Sequence, residues 1–218
     1  MQESLSSFKK KTPEQEKKQK LLDNIKSKLL KELVCPLRDE ANNLVFGKGN
    51  PDADILFIGE APGEKEDLQG IPFIGRAGKE LDQLLHSINL SLEDVYIANI
   101  LKYRPPKNRD PKKEEIISHT PYLIEQIKAI NPKVICTLGN FSTKFVLSKF
   151  NPEEMKKIDG VSELHGKPID IKINKLNFKV VPLYHPAAML YRPKLRGALK
   201  KDFKKINKVI KDVKKDES

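Results

Sequence analysis

The chain has 218 residues, 33% of them charged, with a formal net charge of +11. That is enough chain for one domain with a real core, and the basic balance points to a polyanionic partner. Two cysteines far apart in sequence exclude a disulfide framework, and no apolar run approaches membrane-spanning length. The N-terminus lacks the apolar core of a signal peptide, so the expected location is cytoplasmic. A lysine-rich compositional bias would give the same total, but the charge is unevenly placed. Residues 191–218 carry eleven Lys/Arg against four Asp/Glu, a concentration suited to a phosphate backbone.

In chain order, residues 1–12 read as a disordered basic tail, and 13–218 as a single domain. Leu22, Ile25, Leu29 and Leu33 recur at helical spacing and predict an amphipathic helix from Pro13 to Leu33. A short extended piece is expected at "NLVFG", then a buried strand at 54–59 and a helix at 77–88. A strand follows at 94–100, and a helix at 111–130 that is expected to break before Pro121. The third strand is 133–139 and the next helix 141–150; "DIKI" and "FKVVPLYH" read as a hairpin turning at Asn174–Lys175. The last helix, from near Lys194, carries a stripe of Leu199, Phe203, Ile206, Ile210 and Val213. Such alternation argues for a mostly parallel sheet covered on both faces, with ligands outside the carboxyl ends of its strands.

The stretch "GEAPGEKEDLQGIPFIGRAG" (59–78) opens at one such strand end. It is neither a P-loop nor a dinucleotide fingerprint: the required glycine spacings are absent, and Glu60, Glu64, Glu66 and Asp67 would repel phosphate. Carboxylates at a strand end instead suit a developing positive charge, as on a sugar losing its base. Phe73 offers a stacking face for a flat base. Asn99, after another strand, can both accept from and donate to a pyrimidine amide edge. His185, after a third, can stabilise negative charge on a departing base. Each has a structural alternative: Asn99 as a turn residue, Phe73 as core, His185–Pro186 as a strand terminator, the glutamates as a solvated face.

Taken together, "GEAPGEKEDLQGIPFIGRAGKELDQLL", "VYIANILKYRPPKNRDP", "PKVICTLG" and "YHPAAML" resemble, in order and spacing, the family 4 uracil-DNA glycosylases. The resemblance implies a three-layer α/β/α sandwich around a central parallel four-stranded sheet. It implies excision of uracil from DNA, leaving an abasic site. Gly59, Glu60 and Ala61 would form the loop facing uracil, Phe73 would stack on the base, Asn99 would bond its amide edge and His185 would face O2. Glu60 is the expected group for stabilising the sugar cation or positioning water, with Glu66 and Asn108 as alternates; Glu66 would also stand beside uracil C5. Met189, Leu190, Tyr191 and Arg192 would press into the duplex, with Lys194 and Arg196 on phosphates. The expected partner is uracil-containing DNA, bound by a monomer. The rival readings are an inactive nucleic-acid-binding homologue and a glycosylase for hypoxanthine or a mismatched base.

One feature departs from the resemblance. It implies a [4Fe–4S] cluster on four cysteines, at positions occupied here by Glu32, Cys35, Tyr103 and His119. Such a donor set is unlike a cluster site, so the expectation is no cofactor. Zinc on Cys35, His119 and Glu32 is the alternative. Cys136, inside a strand, is expected to be a small buried hydrophobe.

Overall fold

In a computed structural model, residues 11–173 and 176–216 of the protein are described. The basic tail as far as Lys10, and the hairpin turn at Asn174–Lys175, lie outside the described residues. Helix α1 (Pro13–Glu32) begins where Thr12 caps it: the hydroxyl accepts from the Gln15 amide and the Gln15 side chain returns a bond to the Thr12 N–H. Strands β2 (Ile55–Gly59), β3 (Val95–Asn99) and β4 (Val134–Leu138) are buried along their whole length. Continuous apolar runs of this kind are what a sheet covered on both faces requires.

The sheet runs β1-β3-β2-β4-β6-β5, with β1 at Lys48–Gly49, β5 at Ile169–Ile173 and β6 at Leu176–Leu183. Its four inner strands are mutually parallel, as expected, but β1 and β5 add antiparallel edges, making six strands rather than four. The extended piece expected at "NLVFG" pairs two residues later than its apolar run, at Lys48–Gly49 against Tyr96 and Ile97. Glycine is required at 49, where φ is +117° and an added Cβ would lie 2.2 Å from the Val95 carbonyl oxygen.

Alternate residues of each strand serve opposite layers. Leu56, Ile58 and Ile135 pack with α1, α5 (Lys113–Ile130) and α6 (Asn140–Leu147). Phe57, Ile97 and Cys136 pack with α4 (Arg76–His86) and α9 (Leu195–Asp216). Three α/β/α layers result. Short helices α2 (Pro36–Glu40), α3 (Glu64–Gln69), α7 (Val161–Leu164) and α8 (Ala188–Tyr191) occupy the connections. The acidic stretch read as loop thus contains α3.

The expected break in α5 is absent. Pro121 lies inside a continuous helix. The bond its missing N–H forfeits is to Ile117, a residue 51% exposed, so water is at hand for the freed carbonyl. Thr120 Oγ1 donates to the Ile116 carbonyl at 2.7 Å and adds a side-chain bond in the same turn. Among the described residues no helix is long and apolar enough to cross a membrane.

Candidate active site

Parallel pairing puts Gly59 directly beside Asn99, and β6, next to β4, delivers His185 two residues past its end. The three strand-end stretches therefore meet, as their order implies. A cleft of about 400 Å³ opens there, lined by Glu60, Ala61, Glu66, Phe73, Asn99, Asn108 and His185 among others. That volume is in the range of small-molecule sites.

Asn99 is 2% exposed, and its Oδ1 is buried without a hydrogen-bond partner. Leaving such an acceptor dry costs about 1–3 kcal/mol, recoverable by a ligand that supplies an N–H. Space in front of it exists because residue 59 is glycine. A Cβ there would lie 2.3 Å from Asn99 Oδ1 and 2.8 Å from Phe73 Cζ.

Phe73 adopts φ +50°, a strained conformation for a bulky residue. The chain around it is tight: a Cβ on Gly78 would lie 1.9 Å from the Phe73 carbonyl oxygen, so α4 can approach only through that glycine. Its ring stands 5.9 Å from the His185 imidazole, tilted by 32°.

The Ala187 N–H donates to His185 Nδ1 at 3.2 Å. In the neutral ring Nε2 therefore carries the proton. Burial pushes the imidazole pKa down to about 4, against a smaller opposing influence of Glu66, so the ring is neutral at ordinary pH. It is a donor without being a cation.

The four carboxylates of the acidic stretch separate into distinct roles. Asp67, 2% exposed, accepts from the Asn42 side chain at 2.6 Å and its backbone N–H at 3.0 Å. Glu66 Oε1 accepts from the Ile74 and Gly75 amides at 3.0 and 2.7 Å. Glu64 is exposed in the first turn of α3. Glu60 stands in the cleft wall, as Glu66 does, and its pKa is pushed up to about 7, by burial first and then by Asp110. Asn108 sits at the rim with φ +54°, its Oδ1 accepting from Arg104 Nε at 2.8 Å.

The segment after His185 divides. Met189 is 3% exposed and packs in the core with α4 and α9, so the expected outward role fails for it: α8 turns that side chain inward. Leu190 is half-buried, whereas Tyr191 is 74% exposed and Arg192 and Lys194 are exposed. Arg196 Nη2 lies 3.3 Å from a Glu80 carboxylate oxygen, away from the cleft.

Sequence reasoning missed Arg109, in the cleft wall and bidentate to Glu115 at 2.5 and 2.9 Å. It also missed Ala187, whose backbone acts rather than its side chain, and two supporting lysines, Lys48 and Lys102. Neither lysine leaves a periodic signal, because most of its partners come from elsewhere in the chain: Phe73 for Lys48, and Phe46 and Gln126 for Lys102.

The four implied cluster positions do not fit an iron–sulfur cluster. Glu32 is exposed, while Cys35, Tyr103 and His119 are buried. His119 Nδ1 lies 2.7 Å from the Glu115 carbonyl oxygen and its ring meets Tyr103 edge-on at 6.2 Å. Among the described residues, no three His, Cys, Asp or Glu side chains form a group able to hold a metal, so the zinc trio does not assemble either. Cys136 is fully buried in β4, and burial raises its thiol pKa.

Residues 46–214 match the model of the uracil DNA glycosylase superfamily. A type-4 uracil-DNA glycosylase of Archaeoglobus fulgidus is 45% identical over 86% of this chain and 92% of its own. Those of Saccharolobus solfataricus and Thermotoga maritima are 44% and 38% identical, covering 86% and 97% of the relatives. With this coverage, and with the sheet order and strand-end cleft described above, the chain belongs to the uracil DNA glycosylase superfamily and groups with its type-4 members.

Proposed function

We propose that the protein hydrolyses the N-glycosidic bond of uracil in DNA, releasing free uracil and leaving an abasic site. The observation that carries this reading is the unpartnered, buried Oδ1 of Asn99 in a cleft bounded by Phe73 and His185. Uracil offers N3–H to that oxygen and accepts from the amide NH₂ at O4. Cytosine presents the reverse pattern and would leave both groups mismatched.

The base is flipped from the strand and stacks on Phe73. As the C1′–N1 bond lengthens, negative charge gathers on the pyrimidine and positive charge on the sugar. His185 Nε2–H donates to O2, an interaction that strengthens as the charge develops. The Glu60 carboxylate opposes the sugar cation and orients water, which delivers hydroxide to C1′ and a proton to the departing base. Glu66 is a poorer candidate for that step, since one of its oxygens already holds two backbone amides. Tyr191 and Arg192, exposed and following Ala187 of the cleft wall in the chain, are the residues suited to enter the strand and contact phosphate.

The enzyme is read as a cytoplasmic monomer that works without an iron–sulfur cluster. What supports the last point is the misfit of Glu32, Tyr103 and His119 to such a ligand set.

The test offers single- and double-stranded oligonucleotides containing uracil, hypoxanthine or a thymine mismatch, followed by alkali to reveal abasic sites. Cleavage at uracil alone is expected. Salt-sensitive binding with no cleavage of any substrate would overturn the enzymatic reading.

A further inference from the structure

The peptide group joining Phe73 to Ile74 is held at both edges by opposite charges. Lys48 Nζ donates to its carbonyl oxygen at 3.0 Å, and Glu66 Oε1 accepts from its N–H at 3.0 Å. This is the peptide that follows the strained φ of +50°, where a bulky residue needs outside restraint. A second lysine holds the neighbouring recognition residue. Lys102 is fully buried, and its Nζ donates to the Asn99 carbonyl at 2.7 Å, to Gln126 Oε1 at 2.5 Å and to the Phe46 carbonyl at 3.4 Å.

Neither lysine forms a salt bridge among the described residues; both direct their donors to neutral oxygens, and burial lowers the Lys102 pKa to about 7. Burying a lysine costs several kcal/mol unless its donors are satisfied, so such a placement needs a return. Charge-assisted bonds are roughly twice as strong as neutral ones, and one bond from each lysine ends on the main chain of a residue facing the base pocket, Lys48 on Phe73 and Lys102 on Asn99. Lys48 reaches Phe73 from the edge strand β1, where it stands opposite Ile97. Lys102 ties the end of β3 to α5 and to the segment before β1.

We propose that Lys48 and Lys102 are positioning residues: backbone clamps that hold Phe73 and Asn99 in the geometry that selects the base. This deepens the reading above and rests on its assignment of Phe73 and Asn99 to uracil. Loss of a clamp slackens the pocket, lowering the excision rate while leaving the affinity for undamaged DNA alone.

The experiment measures single-turnover uracil excision, and affinity for an undamaged oligonucleotide by fluorescence anisotropy, in Lys48→Met, Lys48→Arg, Lys102→Met and Asn99→Ala. Expected are tenfold or larger rate losses in both methionine variants with affinities within twofold of wild type. At least fivefold of the loss should return in Lys48→Arg, which keeps a cationic donor. Lys48 is only half-buried, so its variants decide the matter even if Lys102→Met does not fold. A wild-type rate in Lys48→Met beside a lost rate in Asn99→Ala overturns the clamp alone. A wild-type rate in Asn99→Ala overturns the recognition reading and the clamp with it.

Discussion

Gly59 and Asn99 stand side by side at the ends of neighbouring parallel strands, and a Cβ on the glycine would come within 2.3 Å of the asparagine Oδ1. The emptiness of the base pocket is therefore written into one missing methyl group. Gly59→Ala should fold, since the clash is with side-chain atoms at the cleft rather than with the sheet. Its excision rate should fall by two orders of magnitude or more, because Asn99 and Phe73 must both move to admit the methyl. An oligonucleotide cleavage assay beside a melting curve checks this; a rate within threefold of wild type contradicts it.

Glu60 carries a pKa near 7 because burial disfavours its charge, and Asp110 adds to the effect. If the carboxylate opposes the sugar cation, kcat/KM should fall about tenfold per pH unit below pH 7, and Glu60→Gln should abolish that inflection. The stability consequence has the opposite sense. A folded pKa raised above its unfolded value contributes stability below about pH 4.5 that is lost as pH rises to 7. Glu60→Gln should therefore melt at a higher temperature than wild type at pH 8 and alike at pH 4. Equal melting at both values would remove the desolvation argument.

His185, with its pKa lowered to about 4 by burial, is neutral throughout the working range. It should add no inflection to the pH–rate profile between pH 5 and 9. His185→Ala should lower kcat by about 10²–10³ with little change in KM, since its donor bond strengthens mainly in the transition state. A large KM effect with kcat intact would mean that the ring serves binding rather than bond cleavage.

The buried Tyr103–His119 contact occupies two of the positions at which the family resemblance implies cluster ligands. Purified protein should contain no stoichiometric iron and lack broad absorbance near 400 nm, and a strong chelator should leave its melting temperature unchanged. Colorimetric iron determination and a chelator titration test this directly. Iron near four per chain would overturn it.

Much of the fold was legible in the sequence alone. Whole-length apolar strands such as "VYIAN" and "VICTL" announce a sheet buried on both faces, because period-two alternation disappears when neither face is wet. The strand ends then locate Gly59, Asn99 and His185. Edges were less legible: β1 pairs over two residues, too short for any pattern, and its place is decided by the glycine that lets it lie against Val95. The break expected at Pro121 failed because the carbonyl it leaves without a partner belongs to Ile117, an exposed residue where solvent can reach it, a circumstance that a sequence rule does not see.

Local chemistry in the sequence thus determined the class of fold, the family resemblance and the residue types at the base pocket. Only the tertiary structure decided which acids are free. Asp67 and Glu66 are carboxylic side chains like Glu60, yet their oxygens bond backbone amides and side chains brought from elsewhere in the chain. The same holds for His185, whose donor nitrogen follows from the Ala187 amide, and for Lys48 and Lys102, whose partners are main-chain carbonyls and, for Lys102, also the Gln126 side chain. Hydrogen-bond partners are set by distance in space, and residue type alone does not encode that distance.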